Sequence, residues 1–228
     1  MTAYTSVVFD LDGTLVDSSQ DIANALNRVL APYGARALSA AEVVPLLGEG
    51  PARLISGAVR ASGAVVPDEG AIADAYLADY REHPLDDTAL YEGVAEALAA
   101  LAAAGIPMAV CTNKTEPISR IVLDGLHVGR YFGAVVGSDR PVNSKPHPEH
   151  LLTAIAEIGA DPATSLLVGD STIDQRCARN AEVRFFAVPW APPEVDGERL
   201  RAYADLPAIV LGGAAPTHTS PSTSEEQR

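Results

Sequence analysis

The chain is predicted to be an α/β protein, a parallel sheet with helices on both faces, with an all-helical block inserted after its first strand. Three observations lead there. Short apolar, β-branched runs recur along the chain and alternate with stretches of helical spacing. The stretch from about 16 to 86 carries helical spacing alone. The strand-like runs end in polar, carboxylate-bearing turns, which is where open parallel sheets bind ligands.

The first run, YTSVVFDL from Tyr4 to Leu11, is too short for a helix and reads as a buried strand. From Ser18 to Tyr33 the period changes. Ile22, Leu26, Val29 and Leu30 share one helical face, and Ser18 or Ser19 is placed to cap it. AAEVVPLLGEG, PARLISGAVRASG and EGAIADAYLADYREH continue as helical patterns broken by Gly and Pro. Alternation follows. The helix GVAEALAALAAAG leads to the strand IPMAVCT, and a helix near Glu116 to Leu126 leads to GAVVG. PEHLLTAIAEIGA leads to SLLVGD, a helix from Ile173 leads to VRFFAVPW, and AIVLG reads as a final short strand. The first strand joins this sheet from before the helical block, so the block is an insertion. The expected division is a core of residues 1–15 and 87–212, an insertion of 16–86, and a tail of 213–228. The tail is rich in Ser, Thr and Pro, buries nothing, and is expected to be disordered.

Acidic residues outnumber basic ones by 30 to 16, a net charge of -14, which excludes nucleic acid and anionic membrane as natural partners. The tail holds only Glu225, Glu226 and Arg228 of these, so the acidity belongs to the fold. A phosphate-bearing ligand therefore needs a locally positive site. No basic segment precedes an apolar run at the N-terminus, and no run approaches the length of a membrane span, so the chain reads as cytoplasmic. Cys111 and Cys177 sit far apart in apolar or helical patterns and read as buried thiols of a reducing compartment. Monomer and homodimer are both compatible with the sequence.

Four strand ends carry the polar residues that matter. Asp10 and Asp12 follow the first strand; Thr112, Asn113 and Lys114 follow AVC; Lys145 lies in a later loop; Asp170 and Asp174 follow LLV. Of the 16 basic residues only Lys114 and Lys145 are lysines, and both fall in these segments. Gathering Asp10, Asp12, Asp170 and Asp174 at adjacent strand ends places like charges together, which calls for a cation, and hard oxygen ligands favour Mg2+.

FDLDGTLVDS, CTNK, SKPHPEHL and VGDSTID, in that order, resemble the four motifs of haloacid dehalogenase superfamily phosphatases, over a span from about Tyr4 to Pro189. The resemblance implies a Rossmann-like catalytic core, a mobile cap corresponding to residues 16–86, and phosphate transfer through an aspartyl-phosphate. It implies metal ligation by the Asp10 carboxylate, the Asp12 backbone carbonyl and Asp170. Asp174, one turn further on, orients the water shell or a ligand. Asp10 is then the nucleophile and Asp12, on the same side of the extended chain, the acid and base. The Thr112 hydroxyl and the Asn113 N–H hold phosphate oxygens. Lys145 is placed against nucleophile and phosphate, where a compact ammonium fits and a planar guanidinium fork does not. Lys114 either lines the cleft or sits solvated on the next helix.

Other features carry less. His147 and His150 read as a solvated first turn. GEGPAR, Gly48 to Arg53, follows no strand and is no dinucleotide fingerprint; it resembles the loop that phosphoglycolate phosphatases lower over the substrate. Arg53 is the candidate to pair with a substrate carboxylate, with a solvated helix residue as the alternative. DLDGTLVDSSQDIANALNRVL, GEGPARL, YEGV and KPHPEHL together resemble the 2-phosphoglycolate phosphatase branch, so the expected activity is Mg2+-dependent hydrolysis of a small phosphomonoester, 2-phosphoglycolate first. A sugar-phosphate phosphatase or a β-phosphoglucomutase-like phosphomutase shares this core, and a non-enzymatic binding module on the same fold is the reading from another class. A dehalogenase is disfavoured, since carbon–halogen displacement gives Asp12 no alkoxide to protonate. Two departures stand out: Ala181-Glu182 where the family usually shows Ala-Gly, and WAPPEVDG at the end of the strand VRFFAVPW where many phosphoglycolate phosphatases continue with Gly-Tyr.

Overall fold

Strand β1 (Ser6–Phe9) forms the spine of the molecule because both its faces are covered and every one of its residues is buried. The computed structural model describes residues 4–212; the expected disordered tail, 213–228, lies outside the described residues. A two-residue strand β2 (Val16–Asp17) follows, then helices α1 (Ser19–Leu30), α2 (Ala40–Val43), α3 (Pro51–Ser62) and α4 (Glu69–Glu82), then strand β3 (Ala89–Leu90). Helix α5 (Val94–Ala103) opens the alternating part: β4 (Met108–Cys111), α6 (Glu116–Gly125), β5 (Ala134–Val136), α7 (Pro148–Glu157), β6 (Ser165–Gly169), α8 (Thr172–Asn180) and β7 (Arg184–Ala187). Strand β8 (Glu198–Arg199) and helix α9 (Leu206–Val210) complete the described chain.

The main sheet has the order β5-β4-β1-β6-β7-β8, and each of its ladders is parallel. Side chains alternate across it as the pleat requires. Val7, Phe9, Met108, Val110, Leu166 and Val168 face one core, which continues into α5 and the helical block. Val8, Ala109, Cys111 and Leu167 face a second core closed by Leu151, Ile155, Cys177 and Ala178 of α7 and α8. Both cysteines are free and buried there, as expected. Because β1 lies between β4 and β6, the chain order reverses at its carboxyl end, and that crevice is the ligand position of open α/β sheets.

Three elements depart from expectation. AIVLG forms no strand: Ala208, Ile209 and Val210 lie in α9 and Leu211 and Gly212 turn after it, because Pro207 occupies the first turn of a helix and a short apolar run carries no periodicity to separate the two states. The block from 16 to 86 does not begin as helix: Val16 and Asp17 pair antiparallel with Leu90 and Ala89, so the outgoing and returning chains form a small two-stranded ribbon. Strand β8 is too short and too polar to have left a pattern.

Within the block, Ile22, Leu26 and Leu30 of α1 are buried as the period predicts, against Ile72, Tyr76 and Tyr80 of α4. The Arg28 guanidinium donates to both carboxylate oxygens of Asp79, at 3.0 and 2.9 Å, tying α1 to α4. Ser18 occupies the N-cap position without capping the helix; the Asp17 carboxylate instead accepts from the Ser19 N–H at 3.1 Å. Asp21 is buried and accepts from the N–H groups of Asp87 and Thr88 and the Thr88 hydroxyl, at 2.6 Å for the last, which pins α1 to the returning chain. Among the described residues no helix is long and apolar enough to cross a membrane. Glu182 adopts a left-handed φ of 56° at the turn after α8.

Candidate active site

The site is assembled at the carboxyl ends of β1, β4 and β6. Asp10 follows β1 directly, and its N–H donates to the Val168 carbonyl at 3.0 Å, so the register of β1 on β6 sets where the carboxylate lies. The chain then turns at Gly13, with φ 79°. A Cβ at that position would lie 2.4 Å from Asp170 Oδ2, so only glycine lets the turn approach the carboxylate. The carbonyls of the turn are engaged from outside: Trp190 Nε1 donates to Gly13 O at 2.7 Å and the Tyr203 hydroxyl to Thr14 O at 2.8 Å. The Thr14 hydroxyl donates to Asp170 Oδ1 at 3.0 Å.

Asp174 is held by a capping box at the start of α8. The Ser171 hydroxyl accepts from the Asp174 N–H at 3.2 Å, while Asp174 Oδ2 accepts from the Ser171 N–H and hydroxyl, at 3.2 and 2.5 Å. This leaves Asp174 Oδ1 for Lys145, whose Nζ lies 2.6 Å from it and 2.8 Å from Asp10 Oδ1. The Lys145 side chain is 1% exposed, and two carboxylates on one small ammonium leave no room for a guanidinium. Its backbone N–H donates to His150 Nδ1 at 3.1 Å, and His150 Nε2 donates to the Val136 carbonyl at 3.0 Å. An N–H opposite one ring nitrogen and a carbonyl opposite the other fix the neutral tautomer. His150 is therefore no solvated first-turn residue: it is fully buried, burial drops its pKa from 6.5 to about 4, and it positions the lysine loop.

Electrostatics follow from this crowding. Burial, and then the Asp174 charge, raise the Asp10 carboxyl to about 6 in spite of Lys145. Burial, Asp174 and Asp10 push Asp170 well above the carboxylate range. Burial opposes the charge on Lys145, but Asp10 and Asp174 outweigh it and hold the ammonium well above its ordinary range. Asp10, Asp170 and Asp174 each offer an oxygen, all within 4.8 Å of one another. Counting Asp12 with them, four carboxylates face Lys114 and Lys145, a deficit of two positive charges that a divalent cation matches. Both oxygens of Asp174 are engaged by Ser171 and Lys145, whereas among the described residues Asp170 accepts only from Thr14. The donor set for a hard cation is accordingly centred on Asp10 and Asp170, and Asp174 serves the lysine.

Asp12 is hydrogen-bonded on both oxygens, to the Ser18 hydroxyl at 2.5 Å and to Lys114 Nζ at 2.8 Å. Lys114 resolves toward the cleft: its side chain is 7% exposed and its Nζ also donates to the Tyr80 hydroxyl of α4 at 3.2 Å. Burial works against that charge, and Asp12 overrides it to hold the pKa above the ordinary lysine range. Thr112 follows β4 and faces the same cleft, nearly buried. Asn113 Nδ2 donates to Gly48 O of the GEGPAR loop at 2.6 Å and to Lys145 O at 3.0 Å, joining loop, strand end and lysine loop. The cleft is roofed by Leu46, Leu47, Gly48, Gly50, Pro51 and Leu54, with Tyr76, Leu77 and Tyr80 from α4.

Arg53 stands apart from this assembly. Pro51 and Leu54, three apart on α3, face the cleft; Arg53 is turned off that face, its side chain is 78% exposed, and it lies 3.8 Å from Glu49. Tyr80, Trp190 and His150 are the site residues that reading the sequence missed. His150 alone carried a signal, its place in the KPHPEH segment.

The sequence matches the family described as haloacid dehalogenase-like hydrolase over residues 7–188. A phosphoglycolate phosphatase of Agrobacterium fabrum is 34% identical over 206 residues, covering 90% of this chain and 84% of the relative. That of Rhodospirillum rubrum is 38% identical over 184 residues, covering 78% and 76%. The crystal structure of a predicted phosphoglycolate phosphatase from Haemophilus somnus superposes with a TM-score of 0.79 at 26% identity, covering 90% of this chain and 97% of that one. Four motifs converging on one crevice and these likenesses agree, and the chain belongs to the haloacid dehalogenase-like hydrolases.

Proposed function

We propose that the protein is a Mg2+-dependent phosphatase of small phosphomonoesters, 2-phosphoglycolate foremost, working through an aspartyl-phosphate on Asp10. The observation that carries this reading is Lys145 Nζ at 2.8 Å from Asp10 Oδ1 within a crevice that also gathers Asp12, Thr112 and Asp170. Asp10, the Asp12 carbonyl and Asp170 would hold the metal, which offsets the repulsion between anionic nucleophile and anionic substrate.

Asp10 attacks phosphorus while Lys145 and the Thr112 hydroxyl stabilise charge on the phosphoryl oxygens. The bond to the substrate alcohol breaks, and Asp12 delivers a proton to the departing oxygen. Water then attacks the aspartyl-phosphate, Asp12 takes its proton, and phosphate leaves with Asp10 restored. The helical block, which we take as the cap, excludes bulk water during this sequence.

The roof of the cleft supports this choice of substrate class. A sugar-phosphate phosphatase or phosphomutase needs side-chain donors and acceptors for hydroxyl groups, whereas the helical block presents mainly leucines and two tyrosines here. The relatives' name, phosphoglycolate phosphatase, points the same way.

The test is phosphate release in Mg2+ from 2-phosphoglycolate beside a panel of sugar phosphates, with Asp10→Asn as the blank. A kcat/KM for 2-phosphoglycolate at least about tenfold above the panel, roughly 1.4 kcal/mol of discrimination, is expected. The blank should lose at least about 10⁴-fold. A flat or sugar-favouring profile overturns the substrate, and an active Asp10→Asn overturns the mechanism. Asp12→Asn should lose roughly 10²- to 10⁴-fold on 2-phosphoglycolate and much less on p-nitrophenyl phosphate, whose leaving group needs no proton.

A further inference from the structure

We infer that Lys114, seated between core and helical block, determines specificity by pairing with a second anionic group of the substrate, a carboxylate one methylene from the leaving oxygen. The inference deepens the phosphoglycolate reading and rests on it.

The first argument is donor counting. An ammonium has three N–H donors. Lys114 Nζ spends one on Asp12 Oδ2 at 2.8 Å and one on the Tyr80 hydroxyl at 3.2 Å, and it lies 4.6 Å from the centroid of the Tyr80 ring. A third donor remains on a side chain that is 7% exposed and lines the cleft. A buried cation with a spare donor in the lining of a cleft suits an anion.

The second argument is elimination. Lys145 spends two donors on Asp10 and Asp174 and its third is assigned to the phosphoryl group, and Arg53 points away, paired with Glu49. Among the described residues lining the cleft Lys114 is the only basic one. Its surroundings on the cap side, Leu46, Leu47, Leu54, Tyr76 and Leu77, offer no competing positive charge and keep the dielectric low, which strengthens the pairing.

The third argument is reach. Asp12, as proton donor, must lie within hydrogen-bond distance of the leaving oxygen. Lys114 Nζ is one hydrogen bond beyond Asp12, at 2.8 Å. In 2-phosphoglycolate the carboxylate is one methylene beyond that same oxygen, which keeps it within reach of an ammonium that adjoins Asp12. A sugar phosphate presents only neutral hydroxyls there. Because Tyr80 belongs to α4, Lys114 also couples recognition of the anion to the seat of the helical block.

The experiment compares 2-phosphoglycolate with its neutral counterpart 2-hydroxyethyl phosphate, in the full-length Mg2+-loaded enzyme and in Lys114→Met, Lys114→Arg and Tyr80→Phe. The readout is the ratio of the two kcat/KM values, since Lys114 also touches Asp12 and both rates should fall. Wild type should favour the carboxylate substrate at least tenfold, Lys114→Met should cut that ratio tenfold or more, and Lys114→Arg and Tyr80→Phe should retain part of it. Calorimetric titration with phosphonoacetate and with methylphosphonate, which undergo no turnover, supplies the second readout. The preference for phosphonoacetate should vanish in Lys114→Met. If wild type prefers the carboxylate partners and Lys114→Met keeps the full preference, Lys114 is not the determinant while the phosphoglycolate reading stands. If wild type shows no preference, the substrate reading falls and this inference falls with it.

Discussion

The two lysines of the chain occupy contrasting buried sites. Lys145 is enclosed wholly by the sheet half of the molecule: Asp10 after β1, Asp174 in a capping box, and its own loop pinned by His150. Lys114 lies on the seam, with Asp12 on one side and Tyr80 of the inserted block on the other. One ammonium is locked by short contacts whose partners are themselves locked. The other depends on how the block sits. On the proposed function, the half of the site assigned to the chemistry is thus preorganised, and the half assigned to the variable part of a substrate lies on the seam with the helical block.

Arginine substitution should expose this contrast most strongly. Lys145→Arg puts a planar fork where two carboxylates hold a point charge, and phosphatase activity should fall roughly 10³-fold. Lys114→Arg should lower it by less than about tenfold, because the open cleft accommodates the longer side chain. Equal losses at the two positions would erase the distinction between a locked and an adjustable cation.

The pH dependence of stability sharpens the locked side. His150 falls from 6.5 to about 4 on folding, so the native state keeps it neutral while the unfolded chain protonates. Its contribution is complete above pH 6.5 and is lost as pH falls toward 4, a change of about 3 kcal/mol. Urea unfolding at several pH values should show this slope in wild type and a shallower one in His150→Gln; identical slopes would remove His150 from the account.

The smallest effect lies outside both niches. Glu182 holds a left-handed φ of 56°, so Glu182→Gly should stabilise by roughly 0.5–1 kcal/mol, read as a higher thermal midpoint with activity unchanged.

How much was legible in the sequence differs between these regions for a physical reason. Asp10, Thr112 and Asp170 directly follow strands, with Asp12 two residues past Asp10, and a strand with a polar end advertises itself in a short window of sequence. Lys145 stood out because the chain otherwise uses arginine. His150 did not, because its burial comes from packing on the Val136 carbonyl, fourteen residues away in the chain. Trp190 reaches Gly13 across 177 positions, and nothing local to either residue announces the bond. The final helix was read as a strand because five apolar residues have no period.

By itself the sequence determined the alternating architecture, the helical stretch after the first strand and the strand ends at which Asp10, Thr112 and Asp170 stand, since each depends on residue type and near-neighbour spacing. The tertiary structure alone decided that Lys114 turns into the cleft and Arg53 out of it, that Asp174 serves the lysine, and that His150 is buried. Those outcomes depend on which distant segments meet, and a long flexible side chain has several rotamers of similar energy until the packing of another element selects one.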